Sequence, residues 1–179
     1  MSHRRPTSET LILLKIAARI FTGSIRSPSG VIYTLLNATE KDDSISSREK
    51  MKRRLQTMRR QGYLSKNGEH YALSSIGLHT LEKERLWTLS IPAQKKHDGF
   101  WRLLVFDIPK EKSRVRIVFV RHLQNLGLQF YQRSVWIYPY PFEKEVRQVA
   151  KMYGLLPHIS FITATRIDKE SEFRKRFRF

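Results

Sequence analysis

The chain is 179 residues long, with 34 Lys and Arg against 16 Asp and Glu, a formal net charge of +18. It has no cysteine, which excludes disulfides, thiolate zinc sites and cysteine nucleophiles. The cationic excess is shared, with 16 basic against 8 acidic residues before Trp87 and 18 against 8 from Trp87 onward, so both halves are candidates to meet a polyanion.

Residues 1–7 read as a loose polar end. Ser8 is the expected N-cap of a first helix through Phe21, with Glu9 favouring its dipole and Leu11, Leu14, Ala18 and Phe21 at helical spacing. Lys15 and Arg19 interrupt its apolar run, so it cannot span a bilayer, and no signal-cleavage pattern is present; a cytoplasmic protein with no membrane partner is expected. Thr22-Gly23-Ser24 is the expected stop. A short helix follows from Ser27 through Leu36, then a polar loop over residues 37–43.

A third helix is expected over residues 48–61, capped by Ser46 or Ser47 and stopped by Gly62. Met51, Leu55 and Met58 fall on one face of it, which must pack inward. Lys50, Arg53, Thr57 and Arg60 then point away, with Arg54 beside them and Ser47 and Arg48 at the N-terminal end. An apolar anchor with an opposite cationic face suits the major groove of duplex DNA. Two extended pieces, residues 63–65 and 71–73, flank Lys66-Asn67-Gly68-Glu69, a hairpin signal whose Lys66 and Asn67 are further candidates for backbone contact. Ser74 caps a last helix to about Arg85. Three helices, a hairpin and a trailing helix predict a winged helix-turn-helix over residues 1–89.

Residues 90–99 read as a linker. Beyond it the expected order is strand 101–106, helix 113–126, strands 128–131 and 135–138 (or one bent strand), a helix opened by Pro141 and stopped by Gly154, and strand 159–163. That βαββαβ order over residues 100–168 predicts a ferredoxin-like domain, making the whole chain α+β. Residues 169–179 read as a flexible basic tail with interleaved Phe173, Phe177 and Phe179. No Gly-rich phosphate loop, nucleophile elbow or His-rich metal motif occurs.

The runs Trp101-Arg102-Leu103-Leu104-Val105-Phe106-Asp107-Ile108-Pro109 and Gln132-Arg133-Ser134-Val135-Trp136-Ile137-Tyr138-Pro139-Tyr140-Pro141, with Gly127 between them, resemble the central domain of PaaX-like transcriptional repressors. They also resemble the small CRISPR-associated adaptation endonuclease. The first resemblance implies a repressor that binds double-stranded DNA. In that family a further C-terminal domain follows and DNA is released by an acyl-CoA; effector sensing is not expected here. The second implies an alternative, a homodimeric endonuclease in which Asp107 of each subunit holds Mg²⁺ or Mn²⁺. Arg114 and Arg116 match the basic positions after the Asp motif and are candidate phosphate contacts. A third possibility is a non-catalytic DNA-binding subunit of a larger complex.

Overall fold

The structure is a computed structural model that describes residues 7–21, 45–67, 70–92, 94 and 96–178. The expected second helix, the loop after it and the turn residues Gly68 and Glu69 lie outside the described residues. The chain is α+β, with antiparallel sheets, and divides into two units, Met1–Glu84 and Arg85–Phe179.

In the first unit, helix α1 (Ser8–Phe21) starts one residue earlier than its expected cap allows. Thr7, not Ser8, does the capping: its hydroxyl oxygen accepts the Thr10 amide at 3.3 Å and pairs with the Thr10 hydroxyl at 2.8 Å. The buried stripe is accordingly Thr10, Leu13, Leu14 and Ala17, shifted from the expected Leu11, Leu14 and Ala18.

Helix α2 (Ile45–Arg60) buries Met51, Leu55 and Met58 against Leu13, Leu14, Tyr63, Leu64 and Tyr71. It ends where a left-handed residue is needed: Gly62 has φ +80°. The Tyr63 amide donates to the Met58 carbonyl and the Gly62 amide to the Arg59 carbonyl, both at 2.9 Å, the paired closure of a Schellman turn.

Strands β1 (Leu64–Asn67) and β2 (His70–Leu73) form an antiparallel hairpin in which Asn67 pairs with His70, so only residues 68–69 bridge the strands. Helix α3 (Ser75–Trp87) begins at Ser74, whose hydroxyl accepts the Gly77 amide at 3.0 Å and donates to the Gly62 carbonyl. Gly77 is there for clearance. A Cβ at that position would lie 2.3 Å from the Tyr63 carbonyl oxygen.

The second unit is built on a four-stranded sheet of order β4-β5-β3-β6, from β3 (Trp101–Phe106), β4 (Gln129–Gln132), β5 (Val135–Tyr138) and β6 (Ile159–Ala164). β3 is central, antiparallel to β5 and β6. Residues 128–138 are two strands, not one bent strand. Ser134, expected within an extended run, sits in the turn with φ 63°. Helices α4 (Ser113–Asn125) and α5 (Glu143–Met152) contribute Phe119, Leu123, Val146, Val149 and Ala150 to one core with Leu104, Phe106 and Trp136. Pro141 does not open α5; Phe142 intervenes as its N-cap residue, buried in the same core.

The C-terminal segment is ordered, contrary to the flexible basic end expected of it. Residues Glu170–Phe177 form helix α6. Phe173 is buried with Trp101 and Ile137, and Phe177 packs against that cluster. Arg174 and Arg176 pair with Glu170 and Glu172 one turn earlier. Phe173 and Phe177, four apart, supply the apolar stripe that a charged tail lacks.

Candidate nucleic-acid interface

The cationic candidates of the first unit gather on α2, but not on one side of it. At 100° per residue, the direction opposite Met51, Leu55 and Met58 is taken by Arg53 and Arg60, with Ser46, Glu49 and Gln56 around them. Arg53, Gln56 and Arg60 are all exposed. Ser47, Lys50, Arg54 and Thr57 turn to the flank that faces α1, where with Glu9 and the edge of Arg53 they line a groove of about 450 Å³. Arg48, Lys52 and Arg59 form the other, exposed flank.

Several of these candidates are engaged internally. The Arg54 guanidinium donates to Glu9 and, at 3.3 Å, to the Thr7 hydroxyl oxygen, tying α2 to the first turn of α1. Its Nε is buried without a hydrogen-bond partner. Thr57 donates to the Arg53 carbonyl at 3.0 Å and accepts from Arg60 at 3.4 Å, so it orients Arg60 along the helix. The Arg54 partnership was not legible in the sequence, since Glu9 is 45 residues from Arg54. Lys66 is exposed on β1, and Asn67 holds the last paired position of that strand.

In the second unit, Asp107 follows β3 with its side chain exposed. Its amide donates to the His158 carbonyl at 2.9 Å, and the preceding Phe106 amide donates to the Ser134 carbonyl at 3.0 Å. The turn after it carries Lys110 and Lys112. Lys112 Nζ lies 3.1 Å from both the Gly154 carbonyl oxygen and His158 Nε2, joining the turn to the connection before β6. Arg114 is exposed on α4; Arg116 is half-buried, its guanidinium carbon 5.8 Å from the Phe106 ring centroid. Among the described residues, no group of three or more His, Asp or Glu could hold a metal ion. One chain thus offers a divalent ion the exposed Asp107 carboxylate without further acidic or imidazole ligands clustered around it among the described residues.

His122, placed by sequence on a helix with no assigned role, is fully buried. It stacks on Trp87 at 3.6 Å between centroids and its Nε2 meets the Tyr153 hydroxyl at 3.2 Å. Burial pushes its pKa down to about 4.

A helix–hairpin unit bearing a cationic helix and a βαββαβ unit with a lone exposed Asp at the end of its central strand define a small basic two-unit α+β protein. Residues 94–175 match the family model described as the PaaX protein central Cas2-like domain, which supports a PaaX-like family for that stretch of the second unit. No curated protein matches the chain. Among the described residues no helix is long and apolar enough to cross a membrane.

Proposed function

We propose that the protein is a DNA-binding transcriptional regulator of the PaaX-like type, a repressor that docks duplex DNA through the first unit and dimerises through the second. On this reading the first unit is a winged helix with α2 as its recognition helix, and the second is a ferredoxin-like domain. The antiparallel order β4-β5-β3-β6 with two helices between strands supports the latter.

The observation that carries the reading is the outward pair Arg53 and Arg60, exposed opposite a buried Met51-Leu55-Met58 clamp. A guanidinium so placed reaches phosphates, or guanine O6 and N7 in the major groove. Arg48, Lys50 and Lys66 add phosphate contacts. Arg54 serves as the brace to Glu9 rather than as a contact. Arg114 and Arg116 extend the cationic surface of the second unit.

The test is titration of the purified chain with labelled duplex DNA at several salt concentrations, with competitor DNA and sizing of the complex. Expected are a dimer, a preferred sequence, and log affinity falling linearly with log salt. A chain that ignores duplex DNA at low salt refutes the reading.

A further inference from the structure

Resting on that docking reading, we propose that Gln56 is the side chain of α2 that determines base specificity, and that it reads an adenine. The outward stripe of α2 runs Glu49, Arg53, Gln56, Arg60, at spacings of three and four residues. Each of its neighbours is already committed or purely cationic. Glu49 is neutralised by Lys52 at 3.8 Å. Arg60 is held toward the Thr57 hydroxyl, and that hydroxyl is itself spent on the Arg53 carbonyl. Arg53 offers donors only.

Gln56 stands between the two arginines in the chain, exposed, its carboxamide without a hydrogen bond among the described residues. Its carboxamide is the one group of that stripe that presents a donor and an acceptor side by side without charge. Such a group gains little from a phosphate. It matches the major-groove edge of adenine, donating to N7 and accepting from the N6 amine. The flanking guanidinium groups supply affinity and register, and the amide supplies the choice of base.

The experiment selects a preferred site for the intact wild-type chain from random duplex DNA, then measures affinity for each single base-pair change in wild type, Gln56→Ala and Gln56→Glu. At one position the wild type is expected to prefer A·T over G·C on the order of tenfold. In Gln56→Ala that preference disappears while the salt dependence stays, and in Gln56→Glu it moves to cytosine, whose N4 amine a carboxylate accepts. Because Gln56 is exposed, both variants keep the wild-type circular dichroism. A Gln56→Ala profile matching wild type at every position overturns the assignment and leaves the regulator reading intact. A wild type that selects no site overturns both.

Discussion

Helices α2 and α6 look alike in composition and behave differently in the fold. Both are rich in Arg and anchored by buried apolar side chains on one face. In α6, Arg174 and Arg176 each follow a Glu at i−4 and are paired with it, so the helix closes its charge on itself. In α2 the single acid, Glu49, pairs with Lys52, and Arg53 and Arg60 are left facing outward. Positive charge is therefore a poor guide to an interface; what counts is where the acids fall relative to the bases.

That contrast can be broken in several ways, taken from the largest effect down. Phe173→Ala removes the ring that seats α6 against Trp101 and Ile137 and is expected to cost about 4 kcal/mol in denaturant unfolding of the second unit. DNA affinity should stay within about twofold, since α6 is assigned no contact. If Phe173→Ala instead abolishes DNA binding without unfolding the chain, the two helices do not differ as described.

The double variant Arg53→Ala/Arg60→Ala is expected to weaken duplex binding roughly a hundredfold, about 3 kcal/mol, and to flatten its salt dependence, measured by fluorescence anisotropy. The matching Arg174→Ala/Arg176→Ala variant should change little. Equal losses in the two pairs would erase the distinction.

The second unit also carries a pH response in His122. Its pKa is lowered to about 4 by burial, against about 6.5 in an unfolded chain. Between those values the unfolded state binds the extra proton, so stability is complete above about pH 6.5 and is lost as pH falls toward 4. Unfolding free energy should drop by about 2 kcal/mol from pH 7 to pH 5, and the drop should vanish in His122→Gln. A slope unchanged by that substitution would assign it to other groups. At the small end, Glu172→Gln should cost about 0.5 kcal/mol, because an exposed i,i+4 pair contributes no more.

Much of the fold was readable because the local signals are strong. Strand β3 runs over residues 101–106 as expected, and α4 starts at Ser113 as expected. Gly62, Gly127 and Gly154 each follow a helix with positive φ. The misses have physical causes. Thr7 and Ser8 are equivalent as caps by residue type, and only packing of Thr10 decides between them. Pro141 carries a first-turn signal, but burial of Phe142 delays the helix by two residues. Helix α6 hid behind its charges because its pairing is i,i+4 while its burial rests on Phe173, held by Trp101 from 72 residues away in the chain. Of the candidate interface, the outward direction of Arg53 and Arg60 followed from the Met51-Leu55-Met58 period alone. The withdrawal of Arg54 to Glu9 did not, since no periodicity encodes a partner on another helix.

The two amides at the end of β3 carry a consequence for Asp107. Phe106 and Asp107 donate to backbone on opposite neighbours, Ser134 and His158, so the chain is stitched from both sides just where it reaches the surface. The Asp107 amide should exchange with deuterium as slowly as one in the middle of the sheet, although its side chain stands in water. Whatever approaches that carboxylate meets a charge on a stiff mount, able to rotate about its side-chain bonds but not to retreat with its backbone.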